Sequence, residues 1–133
     1  MRRFATTALV LFATAALAQD AVTPQHFEAL AEGRTLHFNL DGQPFGSEHF
    51  LPGRRSIWRF AEGGCQQGRW WDEADRICFA YDNGGGPQCW RFLPRPGGFA
   101  AALVENGAET GFVLELGHTD TTPLDCPGPD VGS

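Results

Sequence analysis

Arg76-Ile77-Cys78-Phe79-Ala80-Tyr81 and Gln88-Cys89-Trp90-Arg91-Phe92-Leu93, joined by Asp82-Asn83-Gly84-Gly85-Gly86-Pro87, decide the fold. Large apolar residues take every second position in both runs, first Ile77, Phe79 and Tyr81, then Trp90 and Phe92. That is the period of a strand, whose successive side chains point to opposite faces. The glycine-rich joint is too short for a crossover helix, so the two strands pair antiparallel. Placing Cys78 opposite Cys89 sets Tyr81 against Gly86 and leaves Asp82 to Gly85 as a four-residue loop. Pro87, which lacks an N–H, then faces Ala80 in the non-hydrogen-bonded class, where cross-strand Cβ atoms lie closest. The register predicts a Cys78–Cys89 disulfide on the outer face, with the aromatics on the inner one.

The same period extends in both directions. Leu36, Phe38 and Leu40 alternate with Thr35, His37 and Asn39, and Asp41-Gly42 suits a two-residue hairpin turn with positive φ at both centres, which sets Phe38 against Phe45. Further strands are expected at Glu48 to Leu51, Ser56 to Phe60, Gln67 to Trp71, Phe99 to Glu105 and Thr110 to Leu116, separated by turn residues such as Pro52-Gly53, Asp72 to Asp75 and Asn106-Gly107. The reading is mainly β: an antiparallel meander of about eight strands, which removes its edges most completely by closing into a small barrel. Before it, Thr23-Pro24 followed by Phe27, Leu30 and Ala31 and stopped by Gly33 predicts one short helix over Pro24 to Glu32.

Strand parity gives the barrel an aromatic wall, with Trp58, Phe60, Phe79, Tyr81, Trp90 and Phe92 on one face and Arg59, Arg91 and Glu115 on the other. Eight-stranded barrels of this size are filled by their own side chains, so these six are expected as core, with Trp90 packed against Ile77 to Tyr81. The alternative is an apolar ligand wall around a cavity.

Cys65, Cys78, Cys89 and Cys126 are spaced 13, 11 and 37 positions apart, without the close pairs of a zinc site. A hairpin turning at Asp72 to Asp75 puts Trp71 against Arg76 and Arg69, not Cys65, against Cys78. Cys65 is therefore left for Cys126, which tethers a proline- and glycine-rich tail over 121–133 and leaves one domain over 19–120.

An address is also legible. Arg2-Arg3, the apolar run Phe4 to Ala16 and the small-x-small site Ala16-Leu17-Ala18 read as a signal peptide over 1–18, cleaved before Gln19, with the protein periplasmic or secreted and no membrane span after processing. Disulfides suit that compartment. Loss of Arg2 and Arg3 moves the formal charge from −6 to −8, and the remaining arginines are scattered among carboxylates, which excludes nucleic acid as a partner.

Catalytic signals are weak. Gly46-Ser47-Glu48-His49 lacks the second glycine of a nucleophile elbow. His37 and His49, brought together by the first hairpin, read as solvated outer-face residues, so no metal site and no cofactor are expected. Asp72-Glu73-Ala74-Asp75 lacks the glycine and terminal glutamate of a calcium loop. Asn83 to Pro87 leads into a strand, not into the helix of a phosphate cradle.

One pattern is more specific: Gly33-Arg34-Thr35-Leu36, then Glu48-His49-Phe50-Leu51-Pro52-Gly53, then Cys65-x-x-Gly68-x-Trp70, Ile77-Cys78-Phe79-x-Tyr81 and Gln88-Cys89-Trp90. It resembles a set of small exported bacterial proteins of uncharacterised function, and the resemblance implies a fold but no activity. At the level of fold alone the chain is similar to lipocalin-type barrels. The functional expectation is a non-catalytic periplasmic binding module, not an enzyme, whose partner is a small apolar ligand or a periplasmic envelope protein. The alternative is a proteinaceous inhibitor of an envelope-directed hydrolase of lysozyme or protease type, for which an acidic surface suits a basic target.

Overall fold

The computed structural model describes Val10 and residues 21–126; the expected signal peptide and cleavage site lie outside the described residues. One helix, α1 (Pro24–Ala31), precedes eight strands: β1 (Thr35–Leu40), β2 (Gln43–Leu51), β3 (Arg55–Phe60), β4 (Cys65–Glu73), β5 (Arg76–Tyr81), β6 (Gln88–Arg95), β7 (Gly98–Glu105) and β8 (Ala108–Asp120). Each strand pairs antiparallel with the next, and β1 pairs with β8 to close the barrel. The helix begins as the sequence reading has it, with the Thr23 side chain accepting from the His26 N–H and Pro24 in the first turn.

Two turns have the chemistry read from the sequence. Asp41 and Gly42, at φ 50° and 79°, form the left-handed pair of a two-residue hairpin, and Asn106-Gly107 repeats it. Both expected disulfides are present. Cys78 and Cys89 sit opposite each other on β5 and β6, and Cys65–Cys126 joins the start of β4 to the tail.

Two expected registers are corrected, and a third ladder keeps its register but is shorter than expected. The β1–β2 ladder slips between Phe38 and Asn39, so Phe38 faces Gly46 and not Phe45. The cause is visible at Gly46, where a Cβ would lie 2.2 Å from the Trp58 indole: the ring occupies the space a side chain would need, and the bulge delivers the glycine to it. The β4–β5 hairpin is two residues tighter than expected, with Glu73 against Arg76 and Ala74 at φ 55°, which sets Trp71 opposite Cys78. A shift of two preserves the faces, so the inner wall survives the error. The β5–β6 ladder ends at Phe79–Gln88, so Tyr81 does not pair with Gly86, nor Ala80 with Pro87. Asp82 to Pro87 form a wider, exposed loop. A proline without a donor beside three glycines, which lose the most backbone freedom on ordering, gives that part of the ladder little to gain. Strand β8 also runs to Asp120, beyond the expected end at Leu116, because β1 supplies partners for His118, Thr119 and Asp120.

The barrel has two unlike poles. At the pole of the β2–β3, β4–β5 and β6–β7 turns, α1 lies across the end and drives Phe27 into it. Phe27 is fully buried, stacks on Phe92 at 4.6 Å, and meets Phe50, Trp70 and Phe99 edge-on. Arg54 holds the helix from outside, reaching Glu28 at 3.2 Å and Asp72 at 2.7 Å with its guanidinium over the Trp70 ring. The ion pairs are half-exposed and contribute little; the apolar plug carries the stability of this end.

After Asp120 the chain crosses the outer face. The Thr35 hydroxyl donates to the Thr122 carbonyl at 2.6 Å, Arg59 donates to the Asp125 carbonyl at 2.6 Å, and Cys126 then reaches Cys65. The described part of the tail is thus a strap over β1, β2 and β3, ending on β4.

Candidate functional site

Above Phe27 the interior is hollow. A cavity of about 250 Å³ opens at the pole of the β1–β2, β3–β4, β5–β6 and β7–β8 turns. All six residues of the expected wall line it: Trp58, Phe60, Phe79, Tyr81, Trp90 and Phe92. The filled-barrel reading therefore holds for the plugged half and is corrected for the other. Phe79 and Phe92 are buried beside the plug, whereas Tyr81 and Trp90 are partly exposed and Phe60 stands 40% exposed at the rim. Trp90 does lie opposite Ile77, but it forms cavity wall and not core, because the β5–β6 loop leaves the barrel open above it. Phe45 and Phe112 complete the aromatic lining, and Gln66, Asn83 and Gln88 give the mouth a polar edge.

The sequence reading missed Glu48. Its parity with Phe50 on β2 was the available signal, and it points the carboxyl inward, where Glu48 is 4% exposed and borders the cavity. Tyr81 donates to Glu48 Oε1 at 2.7 Å. The Tyr81 ring reaches that position by lying against Gly68, where a Cβ would come within 2.7 Å of it. Two motifs quoted from the sequence, Glu48 to Gly53 and Ile77 to Tyr81, thus meet at one hydrogen bond inside the barrel.

Burial pushes the Glu48 carboxyl from 4.5 up to about 7, against the opposing pull of the Ser56 and Tyr81 hydroxyls. Burial, and then the Glu48 charge, hold the Tyr81 hydroxyl well above its usual range, so it remains a donor. A carboxyl whose folded pKa is raised keeps its proton in the folded state while the unfolded chain has lost it. Stability is therefore full below pH 4.5 and falls as pH rises towards 7, by about 3 kcal/mol for a shift of this size. The expected result is that Glu48→Gln abolishes most of this decline, so that the variant is the more stable at pH 8 and close to the parent at pH 5. Urea midpoints at the two pH values check it; equal declines in both proteins would contradict it. Asp72 and Asp120, whose carboxyls Arg54 and His37 respectively hold below the usual range, lose their contribution only at more acid pH.

The histidines are arranged differently from the expectation. His49 is buried against the Thr35 hydroxyl at 2.8 Å, under the strap, and does not meet His37. His37 stacks instead on His118 across the β1–β8 seam, with ring centroids 4.1 Å apart, while its two nitrogens engage Ser47 at 2.7 Å and Asp120 at 2.8 Å. The potential ligand atoms of His37, His118 and Asp120 lie within 4.8 Å of one another. A metal held by two imidazoles lies in the plane of both, and rings only 11° from parallel share no such point. As placed, the trio is a latch on the seam, with His37 hydrogen-bonded to Asp120 and stacked on His118. Glu73, beside Cys78 and Cys89, forms no ligand set either, since both sulfurs are in the disulfide.

No protein-family model matches the chain, and no curated protein or solved structure matches it.

Proposed function

We propose that the protein is a non-catalytic binding module that takes a small, largely apolar ligand into the open half of its barrel, in the periplasm or outside the cell after loss of residues 1–18. The observation that carries this reading is the aromatic cavity itself, closed by Phe27 below and open to solvent above. Ligand sites are concave and mostly apolar, with a few polar groups that set orientation. An engineered apolar cavity of about 150 Å³ admits benzene, so about 250 Å³ suits a molecule of about ten non-hydrogen atoms. Trp58 and Trp90 face the space and report on its contents. Native mass spectrometry of the protein taken from its own compartment is expected to show an adduct of that size, lost on denaturation, and a panel of small aromatics is expected to shift the tryptophan emission saturably. A bare mass together with no response to any member of the panel would overturn the reading.

A further inference from the structure

We infer that the cavity selects a small organic cation, an alkyl- or arylammonium whose nitrogen meets the Glu48 carboxylate while its apolar body lies against the aromatic wall. The inference rests on the cavity being the binding site. Among the described residues that line the cavity there is one carboxyl, Glu48, and no arginine, lysine or histidine. A carboxylate ligand, such as a fatty acid, would bring a second acid into a low-dielectric space with no cation to pair it, a costly arrangement. An ammonium group gains both the carboxylate and the π-faces of Trp58, Tyr81 and Trp90, the ring types that attract cations best.

The geometry supplies orientation as well as charge. The Tyr81 hydroxyl donates to Oε1 of Glu48 and the Ser56 hydroxyl acts on the same carboxyl, which orients it at the cavity wall. Around the carboxyl, β1 presents Leu36, β3 presents Ser56 and Trp58, and β5 presents Tyr81, with Gly68 of β4 beneath the tyrosine ring. Among the described residues, Tyr81 is thus the one other titratable group facing it. Below neutral pH the empty site holds a neutral carboxyl, so entry of an ammonium expels the Glu48 proton to solvent and leaves a carboxylate–ammonium pair. The acidic surface, at a net charge of −6 for the whole chain, draws cations towards the mouth.

Three probes of similar size separate the terms: phenethylamine, ethylbenzene and 3-phenylpropanoate, each titrated into the purified, disulfide-bonded protein by calorimetry and tryptophan emission. At pH 8 phenethylamine is expected to bind at least ten-fold more tightly than ethylbenzene, and the carboxylate more weakly than either. Taking the pH to 5 should erode the amine's advantage and release a proton on binding, seen as a dependence of the heat on the buffer. Glu48→Gln, its fold verified by near-ultraviolet circular dichroism, should bring the amine to within about two-fold of ethylbenzene. Equal affinities for amine and hydrocarbon in the parent, or tight binding of the carboxylate, would overturn the cation inference and leave the apolar-ligand reading standing. Failure of all three to bind would overturn both.

Discussion

Phe27→Ala is expected to lower the unfolding free energy by about 3 to 5 kcal/mol, the range for truncating a fully buried phenylalanine when the site cannot collapse. Collapse is blocked here because the ring's neighbours are anchored on four different strands: Phe50 on β2, Trp70 on β4, Phe92 on β6 and Phe99 on β7. The void left by the ring would also join the cavity above Phe92, which borders both. A urea titration should show a lower midpoint at nearly unchanged slope. A loss under about 1 kcal/mol would mean that the helix does not seat its phenylalanine in the barrel end.

The second large effect is expected from the paired substitution Cys65→Ser with Cys126→Ser, which leaves no unpaired thiol. The bridge closes a separation of 61 residues, and the chain-entropy model assigns a loop of that length about 4 kcal/mol, against about 3 for the 11-residue Cys78–Cys89 loop. The region released should be short. Sequence alone places the freed segment after about Leu116, but β8 holds its pairing with β1 through Asp120, and His37 binds the Asp120 carboxylate. Amide exchange should therefore quicken for residues 121–126 while His118 to Asp120 remain protected. Loss of protection through β8 would show that the strap, and not the strand pairing, closes the barrel.

The Cys78–Cys89 disulfide could be read from the sequence because cross-strand position depends on parity and turn length, both written in the residue pattern around those cysteines, whereas Cys65–Cys126 followed by elimination, which holds because neither the expected nor the observed β4–β5 register brings Cys65 opposite Cys78. The wall was legible for the same reason, and it survived a two-residue error at Ala74 because even shifts keep every side chain on its face. The β2 bulge at Phe45 was not legible. It depends on a ring of β3 occupying the space beside Gly46, a contact between residues twelve apart that no local pattern announces. Nor was the hollow upper half, since volume is set by how far eight strands tilt and by where the β5–β6 ladder stops. Glu48 was hidden by its type: an ionisable residue in a strand reads as surface, and only its parity with Phe50 argues otherwise.

The seam between β1 and β8 also bears on how the molecule comes into being. Thr35 is paired with Asp120, so the wall cannot close until nearly the whole described chain has collapsed around it. Six of the seven other pairings join neighbours across turns of two to four residues, and those hairpins can form early and separately. Closing the seam incurs the entropy of a loop of more than eighty residues, which places the domain with the slower all-β folders, in milliseconds to seconds. Until β8 docks on β1, the facing edges of those two strands remain open templates, and it is during this interval that the chain is most exposed to pairing with a second copy of itself.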